Sequence, residues 1–217
     1  MKVELKSITP QAEVNIVEIA RVSSSRKDKS EKPEGLINYL IRNKHWSPFE
    51  HAYMTLEIET SKAIGIQLLR HRSFTFQEFS QRYAKVTSIE AIELRKQAET
   101  NRQSSTEVFD PILDESLGLF EGQEYYKASE LISDYMHIGK SLYDKLLDIG
   151  VAKECARMIL PMATSTTIYM TGSIRSWIHF LDIRDDEHAQ KEIQLIAKEA
   201  KRIFIEELPI ISKALWK

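Results

Sequence analysis

The stretch RHRSFTFQEFSQRY, Arg70 to Tyr83, sets three arginines, a histidine and a glutamate among hydroxyl side chains at the end of an apolar helical pattern. An arginine guanidinium is planar, stays protonated at any working pH and makes paired charge-assisted bonds to phosphate oxygens. A helix macrodipole accounts for Arg70 and Arg72 alone, which leaves Glu78, Ser80 and Arg82 without a reason. A negatively charged ligand such as a nucleotide monophosphate accounts for the whole set. Upstream, Ser61 is placed to cap a helix over KAIGIQLLRH, residues 62–71, whose end delivers Gln67 and Arg70 to one face. Downstream, an extended course over Gln77 to Lys85 would point Glu78, Ser80 and Arg82, at spacing two, the same way.

The 217 residues, 42% hydrophobic and 29% charged, suffice for one large globular domain spanning 1–217. The formal charge of −2 gives no basic field for DNA or RNA, so the arginine cluster reads as a local pocket. The single cysteine, Cys155, excludes an intrachain disulfide framework, and MKVELKSITP lacks the apolar core of a signal peptide. No apolar run approaches the roughly 18 residues of a membrane span. Cytoplasm is the expected compartment.

Lys2 to Ile8 alternates as a strand, Glu13 to Ala20 suits a short helix, and Ser24 to Pro33 reads as a surface loop. A helix is expected over Glu34 to Asn43, and a half-buried strand over AYMTLEIET, with Met54, Leu56 and Ile58 inward. Arg95 to Gly122 is polar and weakly periodic, whereas Glu124 to Leu147 carries a helical apolar stripe with Gly150 just past its end. The helix AKECARMIL stops at Pro161, and TSTTIYMTG reads as a strand. Ser173 can cap a helix with Ile174, Trp177, Ile178 and Leu181 on its apolar face. Arg175 and His179 lie on another face, and Arg184 falls at the end. A last amphipathic helix runs over His188 to Leu208.

His45-Trp46-Ser47-Pro48-Phe49-Glu50-His51 has a structural explanation, with Ser47 as N-cap, Pro48 at the first helical position and Glu50 closing a capping box. Cys155, beside Ala152 and Ala156, is expected to pack rather than react. His137 and His188 show no metal-ligand spacing, so no metal site is expected. G-x-G-x-x-G is absent, so no Rossmann turn is expected to hold a dinucleotide.

Arg70, His71, Arg72, Glu78, Ser80, Arg82 and Tyr83 match R-H-R-x-x-S-x-N-E-x-S-x-R-Y, and the chain resembles the flavin-dependent thymidylate synthases in this segment, departing at Thr75 and Gln77. Four further segments resemble the family in the order in which the family has them. Ala20-Arg21-Val22-Ser23 is similar to its A-R-V-S, and the His45 to His51 segment to its H-x-T/S-P-F-E-H. Ala156 to Pro161 is similar to A-R-x-x-L-P, and Ser173 to Gln190 runs on as N-x-R-S-x-x-N-F-L-x-x-R-x-x-x-x-A-Q, with Ser173 and His179 in place of asparagines.

The resemblance implies an α/β (α+β) fold, a central sheet flanked by helices, assembled as a homotetramer with active sites shared between subunits. It implies conversion of dUMP to dTMP, with 5,10-methylenetetrahydrofolate as carbon donor, FAD as hydride carrier and NADPH as reductant, without a cysteine nucleophile. Arg184 would be catalytic, stabilising negative charge on the uracil it helps to bind. Gln67, Arg70, Glu78, Ser80, Gln81, Arg82 and Arg157 would bind dUMP, Gln81 through its backbone. Ser23, His45, Ser47, Arg70, His71, Arg72, Glu78, Ser173, Arg175 and His179 would face the FAD. Two other readings stand beside this one: flavin-dependent modification of another pyrimidine nucleotide on the same scaffold, and a nucleotide-binding module without turnover.

Overall fold

Alternation and helical periodicity place most of the chain in regular elements. A computed structural model describes residues 1–23, 32–101, 103–114 and 125–216. In chain order the elements are β1 (Lys2–Ile8), α1 (Ala12–Ala20), α2 (Pro33–Arg42), β2 (Tyr53–Ser61), α3 (Lys62–Leu68), β3 (Phe74–Glu78), β4 (Arg95–Gln97), β5 (Ser105–Val108), β6 (Ile112–Asp114), β7 (Tyr125–Lys127), α4 (Ala128–Asp148), α5 (Lys153–Ala156), β8 (Ser165–Ser173), α6 (Ile174–Arg184), α7 (Lys191–Glu207) and α8 (Pro209–Leu215). They form two compact units. Met1–Glu59, Gln67–Glu78 and Thr167–Lys217 make the first, and Thr60–Ile66 with Phe79–Thr166 make the second.

The first unit is built on a four-stranded sheet of order β1-β2-β8-β3, in which β1 pairs antiparallel with β2 and β3 antiparallel with β8. The period-two pattern turns Met54, Leu56, Ile58, Ile168 and Met170 inward, all fully buried. The apolar stripes of α6 (Ile174, Trp177, Phe180, Leu181) and α7 (Ile193, Ile196, Ala197, Ala200, Phe204) complete this core. Trp177 meets the demand of a buried indole N–H by donating to the Met54 carbonyl at 2.9 Å, which ties α6 to β2.

Gly172 has a steric reason. A Cβ there would stand 2.4 Å from the Phe74 ring. That ring is packed edge-on against Trp177 at 4.9 Å and meets Phe180 at 6.0 Å, so making room for a Cβ would disturb these contacts.

In the second unit α4 ends in a Schellman turn. Gly150, at φ 91°, donates to the Leu147 carbonyl and Val151 donates to that of Leu146. Tyr143 of α4 is fully buried, and its hydroxyl accepts the Val86 N–H at 3.1 Å. Val86, Tyr143 and Ala156 form a small core beneath Leu146, Leu147, Ile159 and Leu160.

Several sequence expectations need correction. The helix from Lys62 ends at Leu68 rather than His71, because Arg70 and His71 bond back three residues, to Gln67 and Leu68, and the chain then turns to seat Phe74 among aromatics. Gln67 and Arg70 therefore do not share a helix face. β3 ends at Glu78, and the Ser80 carbonyl accepts from Tyr83 and Ala84 in a turn, so Glu78, Ser80 and Arg82 are not aligned on one strand. The polar stretch after Arg95 forms β4, β5 and β6 by backbone pairing with little periodicity, and β6 pairs with β7, Tyr125–Lys127, so the helix expected from Glu124 starts only at Ala128. Cys155 is exposed, not packed, since α5 buries only Ala156. α8 is an additional helix, started by Pro209. Residues 24–31, most of the expected surface loop, lie outside the described residues.

Gly172→Ala is expected to lower stability by about 1–3 kcal/mol through overpacking against Phe74. Urea denaturation of the two proteins reads this directly, and equal midpoints would show that the ring moves aside freely.

Candidate functional site

Within the first unit the segment after α3 is a succession of tight turns, which carries Arg70, His71 and Arg72 out of the helix and into β3. Arg70 and Arg72 are exposed and His71 is half-buried. The His71 ring packs edge-on against Phe180, centroids 5.0 Å apart. Its Nε2 accepts a hydrogen bond from Arg184 Nε at 3.0 Å. An imidazole nitrogen can accept only when unprotonated, so the bond requires a neutral ring with its proton on Nδ1. Burial first, then the charges of Arg184 and His179, bring the His71 pKa down to about 4.

Arg184 closes α6, as its spacing led one to expect. Burial lowers its pKa, and the neighbouring Arg70 adds to the effect. The side chain remains protonated at any working pH. Among the described residues neither Arg184 nor Arg70 is paired with a carboxylate, so this corner of the unit carries uncompensated, partly desolvated positive charge.

Arg175 and His179 stand i and i+4 on α6, both exposed, and both line a cavity of about 480 Å³ with Lys44, Trp46, Glu50, Ser73 and Asp182. Ser173 caps α6 as expected, its Oγ accepting the Ser176 N–H at 3.2 Å. Ser173 is 3% exposed and its hydroxyl donates its one proton to Glu50 Oε2 at 2.6 Å, so the side chain is buried against Glu50. Glu50 also accepts from Arg175 Nη1 at 2.9 Å. The capping box expected of Ser47 and Glu50 is not formed. Trp46 holds the cap position of the 3-10 turn Ser47–His51 without a side-chain bond, because the Glu50 carboxylate is drawn to the start of α6 instead.

His45 is exposed, its ring edge-on to Tyr39 at 5.7 Å, and Ser47 is exposed at the start of the 3-10 turn. Gln67 donates to Gln190 Oε1 at 2.5 Å, and Gln190 in turn donates to Glu192 at 2.8 Å. Glu78 is half-buried at the end of β3. The Ser23 side chain lies outside the described residues. In the second unit, Ser80 and Arg82 are exposed in their turn, with Arg82 3.6 Å from Glu154. Gln81 there is 7% exposed, and its Nε2 has no partner among the described residues. Arg157 is half-buried at the start of a 3-10 turn, Arg157–Ile159.

The donor set of the first unit therefore consists of guanidinium and imidazole groups facing outward, with no group of three acidic, histidine or cysteine residues placed to hold a metal ion among the described residues. Such a set binds anionic, hydrogen-bond-accepting ligands, which fits the phosphates of a nucleotide or a flavin dinucleotide. Glu50 and Gln190 are the residues the sequence reading missed. Glu50 sat inside a motif already explained as a cap, and nothing in the spacing of Gln190 links it to Gln67, 123 residues away.

The model of the family described as thymidylate synthase complementing protein matches residues 4–210. A probable flavin-dependent thymidylate synthase of Paramecium bursaria Chlorella virus 1 is 46% identical over 206 residues, 94% of this chain and 90% of the relative. A flavin-dependent thymidylate synthase of Synechocystis sp. is 43% identical over 196 residues, 90% of this chain and 86% of the relative. One of Thermosipho melanesiensis is 38% identical over 196 residues, 89% and 81% of the two chains. With its arginine-rich turn joined to the end of α6 and its match running almost end to end, the chain belongs to the thymidylate synthase complementing proteins, the flavin-dependent thymidylate synthase family.

Proposed function

We propose that this chain methylates dUMP to dTMP, taking the carbon from 5,10-methylenetetrahydrofolate and reducing equivalents from NADPH through FAD. The observation that carries the reading is the partly desolvated Arg184, bonded to a neutral His71 and repelled by Arg70, with no carboxylate paired to it among the described residues. Such a guanidinium is prepared for negative charge that a ligand brings or develops. Bound FAD would supply the hydride chemistry.

The protein's own part is to bind, orient and stabilise charge. Arg184 stabilises negative charge on the uracil ring, and its bond to His71 holds the guanidinium in one orientation. Gln67, Arg70, Glu78, Ser80, Gln81, Arg82 and Arg157 hold dUMP. Arg70, His71, Arg72, Glu78, His45, Ser47, Ser23, Arg175 and His179 face the flavin, and Ser173 supports that surface from within by capping α6. Cys155 takes no part as a nucleophile. Its exposure makes it reachable, but the proposed reaction uses no cysteine nucleophile.

Residues 1–217 act together as one such domain, which the family match over 4–210 supports. A homotetramer with sites shared between subunits is part of the proposal. In its favour, Tyr135, Ile138 and Leu142 are at least half exposed at helical spacing along α4, an apolar face that another copy would cover. The cytoplasm is the proposed compartment. A lone cysteine suits a reducing environment, and no helix among the described residues is long and apolar enough to cross a membrane.

Purified protein given dUMP, methylenetetrahydrofolate, NADPH and FAD is expected to form dTMP, measured by chromatography, only when FAD is present. Arg184→Ala should lower that rate by about 10²–10³-fold with flavin still bound, the loss typical of removing one charge-stabilising donor. Full activity in the variant would remove the role given to Arg184.

His71, with a folded pKa of about 4 against the ordinary 6.5, favours the native state above pH 6.5. That contribution is lost as the pH falls from 6.5 towards 4, because the unfolded chain takes up the proton first. Denaturant midpoints should fall over this window and fall less in His71→Gln. Parallel curves would show that the ring titrates normally. Light scattering of the purified protein should return four times the mass of the chain, and a monomeric mass would overturn the assembly.

A further inference from the structure

Arg175 sits against the electrostatics of its own helix. It occupies the first turn of α6, where the macrodipole disfavours a cation, and that turn contains no acidic residue. Glu50 supplies the missing anion from the 3-10 turn Ser47–His51, placing Oε1 2.9 Å from Arg175 Nη1 and Oε2 2.6 Å from Ser173 Oγ. Each hydroxyl has one proton to give. Ser173 gives its proton to Glu50, and Ser176 gives its own to the Ser73 carbonyl at 3.2 Å. The carboxylate thus begins a chain of bonds that joins the 3-10 turn, the start of α6 and the segment after Arg72.

We propose that Glu50 is a positioning residue for the flavin. It grips one arm of the Arg175 guanidinium, which lines the cavity, and leaves the remaining N–H groups, which have no acceptor among the described residues, available to an anionic group of the cofactor. This rests on the reading of Arg175 as a flavin contact. The Glu50 and Arg175 side chains are 42% and 51% exposed, and an exposed ion pair adds little to folding. Its consequence is orientation of the guanidinium.

The test is a double-mutant cycle read by flavin titration, with thermal unfolding as a control. Glu50→Ala should weaken FAD binding by about tenfold, within the loss expected when a charge-assisted contact is misplaced. It should leave the unfolding temperature nearly unchanged, and kcat at saturating FAD should stay close to that of the parent. In an Arg175→Ala background the same substitution should change FAD affinity no further. Glu50→Gln keeps an acceptor for Ser173 and loses the charge, so it should weaken FAD binding in the same way; it also serves if the alanine variant fails to fold. Equal effects of Glu50→Ala in both backgrounds, or no effect in either, would overturn the proposal. If Arg175→Ala alone leaves FAD affinity unaltered while dTMP is still formed, the proposal fails through Arg175 and the assigned reaction stands.

Discussion

A guanidinium donating to an imidazole holds the functional face of the first unit together. Arg184 Nε and His71 Nε2, 3.0 Å apart, join the end of α6 to a turn 113 residues earlier in the chain. The bond forms only while His71 is neutral, and the environment ensures this. The ring lies against Phe180, near Phe74, so burial disfavours its charge before the Arg184 guanidinium does. An acid in place of His71 would neutralise Arg184. A neutral acceptor fixes its orientation and leaves its charge available to a ligand.

Around that bond the fold devotes its apolar packing to position and its polar groups to restraint. Gly172 makes room for Phe74, and Phe74 with Trp177 and Phe180 forms the seat on which His71 rests. At the other end of α6, Ser173 serves the helix and Glu50 together, accepting the Ser176 N–H and donating to the Glu50 carboxylate. Polar networks of this kind contribute more to the direction of a side chain than to stability, because their outer members remain in water.

The sequence alone determined the elements whose burial is periodic. Met54, Leu56 and Ile58 alternate into the core, α6 and α7 bury the stripes their spacing marked, and Gly150 takes the positive φ after α4 that its position called for. It also determined the family, because Arg70, His71, Arg72, Glu78, Ser80, Arg82 and Tyr83 stand in a fixed pattern that no secondary structure requires. Tertiary structure decided what has no local period. It ended α3 at Leu68, stopped β3 at Glu78 and turned the chain at Ser80, because long-range packing of Phe74 and local backbone bonding outweighed a helical or extended continuation. It also paired His71 with Arg184, Glu50 with Arg175 and Gln67 with Gln190. Those contacts span more than a hundred residues, and a hydrogen bond between distant side chains leaves no mark on the spacing of either segment.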